Sequence, residues 1–212
     1  MTIPTDEPII IEGCDTIAKL FWHRVQQLGD KVAMREKNFG IWESFTWTEY
    51  GYKAREIGMG LLALGLRRGE VCSIVSEDNK VWLFADMGIL GSGGVTSGVY
   101  TTDSSKQLEY LVTDSASRFL FVENEEQLDK YLEVRERTPS IDKVIVFDPE
   151  GLYEFNDDQV MMIEDLYALG RSHLETHPDL WEMEIQQSRP EDLMVLIYTS
   201  GTTGPPKGAM IS

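Results

Sequence analysis

Basic residues are scarce in this chain: 19 Lys and Arg stand against 36 Asp and Glu, giving a formal net charge of -17 over 212 residues. A nucleic-acid surface needs clustered Lys and Arg, so this balance argues against that class of partner. It equally disfavours simple electrostatic adhesion to anionic lipid. An anionic ligand would have to be held by local donors against the overall field. Cysteine is scarcer still. Cys14 and Cys72 lie far apart, in no metal-ligand spacing, and read as reduced thiols of a cytoplasmic protein. Met1 to Ile10 carries Asp6 and Glu7 where a secretory leader needs a basic stretch. Long hydrophobic runs are missing too: the most apolar window, Val81 to Val99, is broken by Asp86 and several glycines, too polar for a membrane span. Only peripheral membrane contact is left open. There is no internal repeat and no low-complexity tract.

What is present is enough apolar content, 42%, to bury a substantial core in one domain of ordinary size. Asp15 or Thr16 can cap a first helix with the stripe Ile17, Leu20, Phe21, Val25 and Leu28, ended by Gly29-Asp30. Lys31 to Glu36 and Ser44 to Trp47 alternate like two short strands around a turn at Asn38-Phe39-Gly40. Thr48 is then expected to cap a helix carrying Tyr50, Ala54, Ile57, Leu61 and Leu64. From there the order repeats. Strands are expected over 71–76, 95–99, 119–123 and 143–147, with helices over 80–90, 106–113 and 125–137 between them. Ser104 with Gln107, and Asn124 with Gln127, fit the capping box. Such alternation predicts an α/β fold with a mainly parallel sheet and flanking helices. A further helix follows over 163–173, and a short buried strand from Leu193 to Tyr198.

That strand feeds the most informative segment, Tyr198-Thr199-Ser200-Gly201-Thr202-Thr203-Gly204-Pro205-Pro206-Lys207-Gly208. Glycines let the backbone turn N–H groups inward, hydroxyls can donate to anionic oxygens, and Lys207 adds a mobile positive charge. Pro205 and Pro206 supply no N–H and stiffen the return. It is not a Walker A loop: Pro206 stands where that motif needs glycine, and Gly208 where it needs the magnesium-binding hydroxyl. Glycine, proline and threonine also cluster in ordinary surface turns, so composition alone leaves a ligand-free turn open.

The run TSGTTGPPKG, with Tyr198 before it and Ala209-Met210 after it, resembles the signature loop of the adenylate-forming superfamily. Segments Ser44 to Tyr50, Leu61 to Gly69 and Val99 to Ser104 resemble the amino-terminal part of bacterial long-chain fatty acyl-CoA synthetases, including the bubblegum type. The resemblance implies a two-step ligase that uses ATP, Mg²⁺ and coenzyme A to activate a carboxylate, with fatty acid as the substrate. It implies that Thr199, Ser200, Gly201, Thr202, Thr203, Gly204, Lys207 and Gly208 contact the nucleotide. It also implies that residues 1–212 are an incomplete N-terminal AMP-binding domain. The elements for adenine, ribose and magnesium, and a mobile C-terminal domain with its adenylation lysine, have no counterpart here, so the isolated chain is expected to be inactive. An incomplete sheet is expected to expose an edge and apolar surface, favouring self-association. Two other readings share the loop: an amino-acid or aryl-acid adenylating enzyme, and a non-catalytic nucleotide-binding module.

Other candidates read more simply. His173 and His177 share a helical face, but Leu174 follows the first and Pro178 ends the pattern, so surface histidines are favoured over zinc. His23 reads as a solvated residue on the polar side of its helix. Gly91-Ser92-Gly93-Gly94 follows a helix and precedes a strand, the reverse of a dinucleotide fingerprint, and reads as a tight turn. The acidic run Glu123 to Glu126 suits a helix start. Met161-Met162 and the tryptophans read as core or partner contacts. No Ser-His-Asp or Cys-His catalytic set can be assembled.

Overall fold

The computed structural model describes residues 9–199 and 204–212. Within them the chain forms α1 (Ile17–Leu28), the hairpin β1 (Val32–Asn38) and β2 (Ile41–Thr46), and α2 (Trp47–Ala63). An alternating body follows: β3 (Val71–Val75), α3 (Lys80–Gly91), β4 (Val95–Val99), α4 (Ser105–Asp114), β5 (Phe119–Val122), α5 (Glu125–Leu132) and β6 (Lys143–Val146). The remainder is β7 (Val160–Met162), α6 (Ile163–Thr176), α7 (Leu180–Gln187), β8 (Val195–Thr199) and β9 (Lys207–Ile211).

Strands β3 to β9 make one seven-stranded sheet in the order β7-β6-β5-β3-β4-β8-β9. Every pairing is parallel except β8 with β9. The expected α/β class with its mainly parallel sheet is what forms. The period of two along each strand sorts the core into two layers. Ile74, Phe119, Phe121 and Ile145 face one side, where they pack with Ile57 and Leu61 of α2, Phe84 and Ile89 of α3 and Leu166 of α6. Val75, Leu120, Val122, Val144 and Val146 face the other, against Leu108 and Leu111 of α4 and Leu128 and Tyr131 of α5. With both faces covered, these strands read as continuous apolar runs, the pattern of a buried parallel sheet. At about 1.5–3 kcal/mol for each fully buried large side chain, the two layers are the principal source of stability. A third cluster joins α1, α2 and α7 through Phe21, Trp22, Val25, Met59, Trp181 and Ile185.

Several local expectations need correction. Thr46, not Thr48, caps α2: its hydroxyl accepts the Glu49 N–H while the Glu49 carboxylate accepts the Thr46 N–H. A capping side chain must sit three residues before the amide it satisfies, and Thr-x-x-Glu at 46–49 provides that spacing. Of the two candidates before α1, Thr16 is the cap. The box at Ser104 and Gln107 is complete, but at Asn124 only half forms, because the Gln127 amide turns to Glu126 and Lys130. Helix α5 stops at Leu132, and Arg135–Arg137 is a 3₁₀ turn. Thr138-Pro139 follows, and the residue before proline avoids the helical region. Trp47 is helical rather than the end of a strand. Ile17, expected in the buried stripe of α1, is 46% exposed. Strand β7, helix α7 and strand β9 were not anticipated.

The glycine turn forms as expected, and the histidines differ in their surroundings. Gly91 to Gly94 is a tight helix-to-strand turn with Gly93 at φ 81°. His173 and His177 stack at 4.3 Å between ring centroids, and no group of three His, Cys, Asp or Glu among the described residues could hold a metal. His23 is half-buried and lies 3.5 Å from the Glu12 carboxylate instead of standing free in solvent. Cys14 and Cys72 are both free thiols.

Candidate functional site

The glycine-rich segment joins β8 to β9 at the C-terminal end of β8, the end at which open α/β sheets usually receive ligands. β8 lies beside β4, pairing Thr96 with Val195 and Ser97 with Leu196. β8, expected as a buried strand over Leu193 to Tyr198, forms at Val195–Thr199 with only Leu196 buried, because its other neighbour is the open edge strand β9. The segment is anchored on one side through the buried strand β4. β9 folds back antiparallel along β8 so that Thr199 pairs with Lys207 and Tyr198 with Gly208. Directly opposed residues project to the same face of a ladder. Thr199 and Lys207, two of the expected nucleotide contacts, therefore stand together at the mouth of the hairpin, and both are exposed. Ser200, Gly201, Thr202 and Thr203 lie outside the described residues.

Gly204 and Gly208 differ in what they require of glycine. Gly204 has φ 94° with nothing within 4 Å of an added Cβ, so backbone conformation alone favours glycine. Gly208 has no such φ. A Cβ there would lie 3.2 Å from the Tyr198 ring, so this glycine makes room for the tyrosine across the ladder.

The flank of the hairpin is built by α4. Tyr110 Oη donates to the Pro206 carbonyl at 2.8 Å, and Tyr198 Oη donates to Asp114 Oδ2 at 2.8 Å. Tyr110 and Asp114 are four apart and so share one face of α4. Burial, followed by the Asp114 carboxylate, pushes the Tyr198 phenol well above its ordinary range, so it stays protonated and able to donate. Sequence reasoning placed Tyr110 in an ordinary helix over 106–113 and left Asp114 just beyond its end, whereas α4 runs through Asp114. Their spacing was visible, but their partner lies some 90 residues away in sequence, and no local pattern carries that. Between α4 and the hairpin runs a groove of about 490 Å³ bordered by Tyr100, Lys106, Tyr110, Tyr198, Pro205 and Pro206. A larger cavity of about 910 Å³ lies elsewhere, between Ile9–Leu20 and residues 188–194, and includes none of the expected contacts.

The donor set suits an anion: a threonine hydroxyl and a lysine ammonium flank a segment whose glycine takes a left-handed turn. It does not suit a divalent cation, since no acidic cluster accompanies it among the described residues. The Mg²⁺ that the resemblance implies is therefore assigned no ligands in this chain. No described helix is long and apolar enough to cross a membrane.

Comparison with known proteins places this geometry. Residues 21–212 match the AMP-binding enzyme family. The chain is 31% identical over 206 residues to the long-chain-fatty-acid CoA ligase ACSBG1 of Bos taurus, covering 97% of this chain and 28% of that protein. It is 32% identical over 197 residues to ACSBG2 of Homo sapiens, covering 93% of this chain and 29% of that protein. The chain thus spans little more than a quarter of the length of these relatives. Among solved structures, the anthranilate CoA ligase AuaEII in complex with anthranoyl-AMP superposes with a TM-score of 0.75 at 24% identity, over 91% of this chain and 34% of that one. The luciferase-like enzyme of Zophobas morio superposes with a TM-score of 0.69 at 15% identity, over 92% and 42%. These two likenesses establish the shared fold. With a family match over almost its whole length, the chain belongs to the AMP-binding enzyme family.

Proposed function

We propose that this chain supplies the phosphate-gripping part of an AMP-forming ligase that activates long-chain fatty acids as coenzyme A thioesters. The observation that carries the reading is the pairing of Thr199 with Lys207 across the hairpin, within the sequence TSGTTGPPKG. The family match and the fatty-acid specificity in the relatives' names support it. In the reaction so assigned, a carboxylate oxygen attacks the α-phosphorus of ATP, and the bond to the β-phosphate breaks to release pyrophosphate. The thiol of coenzyme A then attacks the acyl carbon, forming the thioester and releasing AMP.

The part of the described residues is electrostatic. The Lys207 ammonium and the Thr199 hydroxyl are set in advance where negative charge gathers on the departing pyrophosphate, which is how oriented donors lower a barrier. Lys207 does not act as a base. Ser200, Gly201, Thr202, Thr203, Gly204 and Gly208 complete the proposed nucleotide contacts through hydroxyls, backbone amides and close approach. The carboxylate, adenine and coenzyme A contacts fall to a longer polypeptide of which residues 1–212 are the N-terminal portion, so the 212-residue chain is expected to bind ATP without forming acyl-CoA.

Titration calorimetry with ATP tests this directly. The wild-type chain should bind, and Lys207→Ala should weaken binding about tenfold, a loss of about 1.4 kcal/mol, in keeping with a charge-assisted hydrogen bond. Equal affinity in the two proteins would contradict the role given to Lys207. Fatty-acid-dependent AMP release by the 212-residue chain alone would contradict the division of labour.

A further inference from the structure

The hairpin is held from outside at two points, one on each arm. On the incoming arm, Tyr198 immediately precedes Thr199, and its hydroxyl donates to Asp114 at 2.8 Å. On the return arm, Pro206 immediately precedes Lys207, and its carbonyl accepts from Tyr110 at 2.8 Å. Both tethers end on α4, on residues one helical turn apart. Pro205 and Pro206 supply no N–H, so the Tyr110 hydroxyl gives that stretch a polar anchor which the backbone ladder of β8 and β9 does not extend to. Gly208 lets the Tyr198 ring lie across the ladder, and an added Cβ 3.2 Å from that ring would push it from its position.

We infer that Tyr110 and the Tyr198–Asp114 pair are positioning residues that fix the separation of Thr199 and Lys207. α4 then serves as the rigid support of the proposed phosphate site, an inference that rests on the reading given above. The support is rigid for reasons on the page: α4 opens with a complete capping box at Ser104 and Gln107 and packs its opposite face through Leu108, Leu111 and Val112 into the core. The hairpin is held more lightly: of its described residues, Leu196 and Tyr198 on β8 reach the hydrophobic clusters. β9 is an edge strand, with Met210 73% exposed and Ile211 39% exposed. Edge strands with solvent on their outer side are loosely held, so side-chain anchors on the inner side decide where the loop sits. A donor displaced by a fraction of an ångström loses much of its effect on a ligand, and the two tethers act on donors they do not touch.

The test combines two readouts on the same chain. Tyr110→Phe, Tyr198→Phe and Asp114→Ala should each raise the Kd for ATP about 3- to 10-fold, the effect of one hydrogen bond, and should speed amide hydrogen exchange over residues 204–211 in the absence of nucleotide. Asp114→Asn keeps an oxygen acceptor for the Tyr198 hydroxyl and should stay within twofold of wild type. That recovery separates tethering from a charge effect. Thermal midpoints should stay close to wild type, since Tyr110→Phe and Tyr198→Phe keep the rings that pack against the core and Asp114 is exposed. ATP binding by wild type with unchanged affinity and exchange in Tyr110→Phe and Asp114→Ala would overturn the positioning role alone. Failure of the wild-type chain to bind ATP would overturn both the phosphate reading and this inference.

Discussion

The four parallel strands β3 to β6 and the antiparallel hairpin of β8 and β9 belong to one sheet but are made on opposite terms. In the first, almost every side chain is enclosed: Ile74, Leu120, Phe121 and Val144 are all fully buried, and the buried Ser117 hydroxyl pairs internally with Ser73 at 2.6 Å and Ser115 at 2.7 Å. The Thr96 and Ser97 hydroxyls of β4 are enclosed without a partner among the described residues. In the second, only Leu196 counts as buried, Ile197 is 45% exposed, and Thr199 and Lys207 face solvent. The residues of the body are chosen by packing. Among the described residues of the hairpin loop, Gly208 makes room for the Tyr198 ring, but no packing need explains Gly204, which has nothing within 4 Å of an added Cβ, or the exposed Lys207. That contrast is what the proposed phosphate-binding role of the loop would account for.

Substitutions can break or sharpen this contrast. The largest effect belongs to the body: Trp181 is fully enclosed, against Gly58 and Gly91, where an added Cβ would lie 2.4 and 2.1 Å from its ring, and Trp181→Ala should cost about 3–5 kcal/mol in urea unfolding. Next comes Gly170→Ala. A Cβ there would meet the Glu56 carbonyl oxygen at 1.8 Å where α6 crosses α2, and backbone against backbone cannot yield, so a loss of about 3 kcal/mol is expected. Lys207→Ala should leave the unfolding midpoint unmoved while weakening ATP about tenfold, a separation of stability from binding that no body residue should show. Gly204→Ala meets no neighbour and carries only the left-handed backbone penalty, about 1–2 kcal/mol on the folded chain. A Gly204→Ala loss as large as that at Gly170 would mean the hairpin is part of the stabilising core after all.

The smallest effect concerns pH. Burial raises the Asp86 carboxyl above its ordinary value, so the folded chain holds that proton more tightly than the unfolded chain does. Its favourable contribution is full below the ordinary carboxylate range and is lost as pH rises through the raised value. Asp86→Asn should therefore flatten the fall in stability above that range and leave the chain more stable than wild type at neutral pH. Denaturant midpoints measured across the pH range check the sign, and an Asn variant that is less stable at neutral pH would reverse it.

Much of the body was legible in the sequence because its signals are local. Runs such as Phe119 to Val122 are uniformly apolar, and the caps Ser104 and Asn124 sit where the chain turns from strand to helix. The failures have physical reasons as well. β9 reads as Lys-Gly-Ala-Met-Ile, with no strand pattern of its own, and becomes a strand only because β8 offers an open edge. Trp181 on the short helix α7 shows no periodicity strong enough to announce that it fills the gap beside α1, α2 and α3. Thr48 reads as the cap when the strand is taken through Trp47; strand and helix in fact meet without a turn, and Glu49 marks Thr46 as the capping residue. At the loop, the chemistry of Thr199, Gly204 and Lys207 could be read from composition and resemblance. The support from Tyr110 and Asp114 could not, being a contact between distant parts of the chain.

The most direct test of the central claim is amide hydrogen exchange across the whole chain with and without saturating ATP. The account predicts protection concentrated at residues 199–208, with the parallel body unchanged. Protection confined to the cavity beside α1, or none anywhere, would contradict the assignment of this loop to nucleotide phosphates.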